Sequence, residues 1–157
     1  MFQNILVATD FSAAARSALD CGRALAQAYG ARLHLLHVVE HGFVGPFVAD
    51  SRALEQAAWE RLKVNLSGDG EGPRACAVVR ASHRPAEAIV SYAATANIDL
   101  IVTGTHGRGG AARVLMGSIA ERVVRTAPCP VLIVRHPQRE FVVSDLDANV
   151  RRVCASS

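Results

Sequence analysis

Two short segments carry residues whose types and spacing could do chemistry. One is Thr9-Asp10-Phe11-Ser12, with a carboxylate and two hydroxyls. The other is Thr103-Gly104-Thr105-His106-Gly107-Arg108-Gly109-Gly110, which runs on to Gly117-Ser118. Glycines let the backbone approach a ligand closely. Successive N–H groups in such a turn can form an anion nest. A helix opening at Ser118 adds unpaired donors and a positive dipole end. Its hydroxyl can donate to a phosphate oxygen. That chemistry is a grip on a phosphate-bearing ligand. The same residues also fit a flexible turn with Ser118 as a plain helix cap, and spacing alone leaves both readings open.

Two common phosphate sites are excluded. A Walker loop needs a lysine after its last glycine. Of the 17 Lys and Arg residues all but Lys63 are arginine, and Lys63 follows Leu62 in a helical pattern. The dinucleotide fingerprint should follow the first strand, but no glycine lies between Asp10 and Cys21.

The positioning elements follow from periodicity. Ile5–Ala8, Leu33–Val39, Leu100–Val102 and Val131–Val134 are near-continuous branched runs, as parallel strands buried on both faces show. Ala75–Val79 is a weaker fifth. Between the first two, Ala15, Ala18, Leu19, Gly22, Leu25 and Tyr29 form one helical face, with Ser12 as N-cap and Gly30 as stop. A second helix is expected over Ser51–Leu66, with Leu54, Ala58 and Leu62 inward, before a glycine-rich loop. A third opens at Pro85 and buries Ala86, Ile89, Val90 and Ala93. A fourth opens near Ser118 and buries Ile119, Val123 and Ala127. Alternating strands and helices predict an α/β fold, an open parallel sheet covered on both faces. In such sheets ligands bind beyond the carboxyl ends of the strands, where strand order reverses. Both chemical segments follow strands, as does Glu40-His41-Gly42.

Composition bounds the rest. The chain has 157 residues, 50% apolar and 20% charged, which fits one globular domain. A net charge of +3, with no basic run longer than Arg151-Arg152, does not call for nucleic acid. Cys21, Cys76, Cys129 and Cys154 show neither C-x-x-C nor zinc spacing. No apolar stretch approaches the roughly 18 residues of a membrane span. With no signal segment and no disulfide framework, a cytoplasmic location is expected.

The string Gly104-Thr105-His106-Gly107, nine residues, then Gly117-Ser118 resembles the G-x2-G-x9-G-[S/T] signature of ATP-binding, UspA-like universal stress proteins. Asn4 to Ser12 resembles that family's opening strand and aspartate. Leu35-Leu36-His37-Val38 resembles its second strand, and Pro128 to Val134 its closing strand. The resemblance implies a Rossmann-like sheet of five parallel strands in order 3-2-1-4-5. It implies a domain over 1–135, with 136–157 as an extension, either a short helix or disordered. It implies that Asp10 binds the base or ribose end of ATP, ADP or AMP, with Ala8 and Thr9 lining that pocket. Val38 would meet adenine through its backbone. Gly104, Thr105, His106, Gly107, Arg108 and Gly109 would wrap ribose and phosphates, and Gly117, Ser118 and Ile119 would close on the phosphates. Magnesium would bridge phosphate oxygens rather than bind protein directly. Val131–Val134 would be an edge strand, pairing antiparallel with a second copy in a homodimer, unless the 136–157 segment covers it.

Single residues carry competing readings. Asp10 could cap the first helix, but Ser12 is better placed. His34 and His37 read as core histidines, and Trp59 as packing. Arg108 and Arg113 either pair phosphates or are solvated. The family's Gly-x-Pro before the third helix is here His83-Arg84-Pro85, which puts His83 or Arg84 at the pocket mouth. Three functions follow: a nucleotide-responsive regulatory module in the stress response with no catalytic residues; a slow ATPase or phosphoryl-transfer enzyme; or a dimeric interaction protein that binds no nucleotide.

Overall fold

The computed structural model describes residues 1–40, 51–67, 74–105 and 117–135. In chain order the elements are β1 (Asn4–Ala8), α1 (Ala13–Tyr29), β2 (Arg32–Val39), α2 (Ser51–Leu66), β3 (Ala75–Ala81), α3 (Pro85–Thr95), β4 (Leu100–Gly104), α4 (Ser118–Thr126) and β5 (Val131–Val134). The strands form one sheet of order β3-β2-β1-β4-β5, parallel throughout. The expected α/β architecture and strand order are both present. His106, Gly107, Arg108 and Gly109, Arg113 and the 136–157 segment lie outside the described residues.

The pleat sorts the side chains onto two faces. Ile5, Val7, Leu33, Leu35 and Val102 pack with Ala18, Leu19, Ala26 and Leu62 of α1 and α2. Leu6, Leu36 and Ile101 pack with Ala86, Ile89, Ala93 and Val123 of α3 and α4. Ile5, Leu6, Val7, Leu33, Leu35 and Ile101 are wholly buried. Each such side chain contributes roughly 1.5–3 kcal/mol on leaving water.

Local chemistry sets the element ends. The Ala15 N–H donates to Ser12 Oγ at 3.2 Å, the expected N-cap bond. Gly30 ends α1 at φ 64, where a side chain would be strained. Gly22 permits a close approach, since a Cβ there would lie 2.4 Å from Val7 Cγ2. At the start of β1, Asp99 accepts from the N–H groups of Gln3 and Asn4 at 2.7 and 2.8 Å. These bonds hold its carboxyl below the usual range.

Three expected inward residues stand elsewhere. Tyr29 is 42% exposed, set edge-on to Phe2, and Ala26 is buried in its place. Leu54 is 47% exposed because only the later turns of α2, at Ala58, Leu62 and Leu66, reach the core. Ile119 is 40% exposed because it faces a cavity. Trp59 is 36% exposed on α2, with the Lys63 ammonium 5.8 Å from its ring, and is not among the cavity-lining residues. Among the described residues no helix is long and apolar enough to cross a membrane.

Candidate functional site

The order β2-β1-β4 places the carboxyl ends of β1 and β4 side by side, at the point where the chain reverses its winding. A cavity of about 180 Å³ opens there. Ala8, Thr9, Asp10, Val38, Gly104, Thr105, Gly117, Ser118 and Ile119 line it together. Its wall also includes His37 and Glu40 from the end of β2, Thr103 from β4, Ala120 from α4, and Pro85 and Ile89 from α3.

The first wall is the segment after β1. The Thr9 N–H donates to the Leu36 carbonyl at 2.9 Å, which continues the sheet register past Ala8. The Phe11 N–H donates to Thr9 Oγ1 at 3.0 Å, and the Ser12 N–H to Asp10 Oδ1 at 2.9 Å. These side-chain turns fold the segment back on itself. Phe11 has φ 63, a left-handed conformation that a bulky residue rarely adopts. Its ring packs, tilted by 40°, 4.5 Å from that of His37, and the Arg61 guanidinium sits 3.9 Å over it. Asp10 thus serves the turn through one carboxylate oxygen while lining the cavity, and Ser12 supplies the helix cap.

His37 is fixed by its own contact. Nδ1 lies 2.8 Å from the Thr9 carbonyl oxygen, which can only accept, so Nδ1 carries a proton. Half-buried on the cavity wall, His37 is not the core histidine expected. His34 is buried at the opposite end of β2, 7% exposed, with Nδ1 2.8 Å from the Tyr92 hydroxyl. Its Nε2 is buried with no hydrogen-bond partner. Burial, and then the nearby Arg32 charge, lower its pKa, so it stays neutral at pH 7.

The second wall brackets the glycine-spaced segment. The Thr105 N–H donates to the Val134 carbonyl at 3.0 Å, and the Gly117 N–H donates to the Thr105 carbonyl at 2.8 Å. The residues flanking 106–116 are therefore bonded to each other. Gly117, not Ser118, occupies the cap position of α4, with no side-chain cap bond. Ser118 is the first helical residue and lies on the cavity wall. Gly104 has a packing reason for lacking a side chain: a Cβ would lie 2.8 Å from the Ala14 backbone.

Glu40 was readable from the rule that ligands sit beyond strand ends. Pro85 and Ile89 were not, because Ile89 belongs equally to the core face of α3. Among the described residues no group of three or more His, Cys, Asp or Glu side chains could hold a metal ion. Cys21, Cys76 and Cys129 are free thiols, and burial raises the pKa of each.

Known proteins share this fold. Residues 1–135 match the model of the universal stress protein family. A universal stress protein of Thermus aquaticus, from the region 3′ of a sulfhydrylase gene, is 41% identical over 140 residues, covering 86% of this chain and all of its own. The solved structure of MJ0577, a universal stress protein of Methanocaldococcus jannaschii, superposes with a TM-score of 0.76 at 27% identity, covering 88% of this chain and 99% of its own. A universal stress protein solved in complex with cAMP gives 0.57 at 28% identity, covering 85% and 96%. With the glycine-spaced motif, the strand order and these similarities in agreement, the chain belongs to the universal stress protein family.

Proposed function

We propose that this chain binds ATP in the cavity between β1 and β4 and acts as a nucleotide-responsive regulatory module of the stress response, in the cytoplasm. The observation that carries the reading is the convergence of Asp10, Val38, Gly104, Thr105, Gly117 and Ser118 on one cavity at the strand-order reversal. The wall is chemically two-ended. Asp10 and Glu40 supply acceptors suited to a base amine or ribose hydroxyls, while the α4 N-terminus and Ser118 suit phosphate. A related universal stress protein solved with cAMP supports an adenine nucleotide. His106, Gly107, Arg108 and Gly109 complete the phosphate side in this reading. Magnesium would take its ligands chiefly from phosphate oxygens and water, with Asp10, Glu40 and the Ser118 hydroxyl as hard oxygen donors nearby.

The nucleotide acts as a ligand that biases conformation or partner binding. The sole lysine, Lys63, is not among the cavity-lining residues. The chain acts as a homodimer joined through Val131–Val134.

The test is calorimetric titration of ATP with magnesium into the purified protein, preceded by mass spectrometry of any nucleotide that co-purifies. Binding in the micromolar range is expected, weakened about tenfold or more by Asp10→Ala and by Ser118→Ala. No co-purifying nucleotide and no heat of binding would leave the interaction-protein reading. Steady phosphate release abolished by Asp10→Ala would leave the ATPase reading instead.

A further inference from the structure

We propose that a basic groove beside the cavity is a polyphosphate clamp, in which Arg84 and Arg122 hold the outer phosphates of an adenine nucleotide and make this chain prefer a triphosphate to a monophosphate. This rests on the cavity being a nucleotide site and names two residues that would set which nucleotide it takes.

The groove, about 410 Å³, is lined by His83, Arg84, Pro85, Ala86, Glu87, Ser118, Ile119 and Arg122. It shares Pro85, Ser118 and Ile119 with the cavity, so the two spaces adjoin at the α4 N-terminus. A ligand leaving the cavity past Ser118 enters this groove. The charges along that path change: Asp10 and Glu40 stand in the cavity, and Arg84 and Arg122, with Glu87 between them, in the groove.

One carboxylate serves both arginines. Arg84 Nη1 lies 3.2 Å from Glu87 Oε2, and Arg122 Nη2 lies 3.1 Å from Glu87 Oε1. Two guanidinium groups against one carboxylate leave a net positive charge, with most of their ten N–H donors unclaimed by Glu87. Glu87 also brings the pair together, one from the start of α3 and one from the second turn of α4. Their planar forks suit the oxygens of a phosphate chain. Neither arginine has a structural duty that substitution would destroy. Arg84 precedes α3 without capping it by its side chain, and both side chains are about two-thirds exposed.

The experiment titrates AMP, ADP and ATP, each with magnesium, into the wild-type protein and the Arg84→Ala/Arg122→Ala double variant at two salt concentrations. The wild-type protein is expected to bind ATP at least about tenfold more tightly than AMP, with the steeper salt dependence for ATP. The double variant is expected to lose about tenfold in ATP affinity while AMP changes less than about twofold. Arg122→Lys in the wild-type background should fall between, since it keeps the charge and loses the fork. An unchanged ATP-to-AMP ratio in the double variant overturns the clamp and leaves the nucleotide cavity standing. Failure of the wild-type protein to bind any of the three overturns the cavity reading, and the clamp with it.

Discussion

Phe11 holds a backbone conformation that costs a non-glycine residue about 1–2 kcal/mol. The cost is offset by the ring contacts with His37 and Arg61, and by the two side-chain turns at Thr9 and Asp10. Those turns decide where the Asp10 carboxylate sits. Replacing Phe11 by alanine should remove the ring contacts and keep most of the strain. Replacing it by glycine should remove both. Thermal or urea denaturation should therefore rank Phe11→Gly above Phe11→Ala by about 1 kcal/mol, the reverse of the order expected where φ is negative. If alanine proves the more stable variant, the backbone at Phe11 is not strained in solution. Nothing in a bulky aromatic between Asp10 and Ser12 points to a left-handed residue, because the conformation comes from neighbours on β2 and α2.

Between elements, the end of β4 and the start of α1 meet in close contact at Gly104 and Ala14. Gly104 lies so close to Ala14 that an added methyl group would collide with backbone atoms, which cannot rotate away. Gly104→Ala should destabilise the fold by about 1–3 kcal/mol and, by displacing α1 from β4, widen the cavity and weaken nucleotide binding. Denaturation and calorimetry on one preparation would check both. An alanine variant of wild-type stability would show that α1 moves aside easily. This glycine also shows what sequence patterns can and cannot convey. Ile5–Val7, Leu33–Leu36 and Leu100–Val102 are legible as strands because burial on both faces demands unbroken branched residues. The edge strand β3 is less legible, and its final Arg80 and Ala81 fall outside the span expected for it, because half-exposed positions admit polar residues. The cavity is legible through Asp10, Gly117 and Ser118, since reactive groups after strand ends converge in any open parallel sheet. Ile119 and Ile89 are not, because helical periodicity cannot distinguish a residue facing a core from one facing a cavity. The Arg84–Glu87–Arg122 bridge joins two helices 35 residues apart and has no local signal at all.

For the whole molecule, the sheet has two edges, and they differ in how much apolar surface they offer. The β3 edge ends in Arg80-Ala81 and carries exposed positions at both ends. The β5 edge is four residues of Val-Leu-Ile-Val, hydrogen-bonded on one side to β4. Leu132 on β5 and Val124 on the adjoining α4 stand 37% and 43% exposed. No charged residue interrupts β5, so it lacks the lysine or proline with which solvent-facing edges resist pairing. A second copy related by a two-fold axis would cover the same residues on both partners at once. Sedimentation velocity should then show a dimer at micromolar concentration, and Leu132→Arg should shift it to monomer by placing a charge on the pairing edge. The melting temperature of the wild-type chain should rise with protein concentration, and that of the variant should not. Nucleotide affinity per chain should be unchanged in the variant, because Leu132 is not among the cavity-lining residues. A wild-type chain that sediments as a monomer, or a Leu132→Arg chain that remains dimeric, would show that this edge does not join the copies.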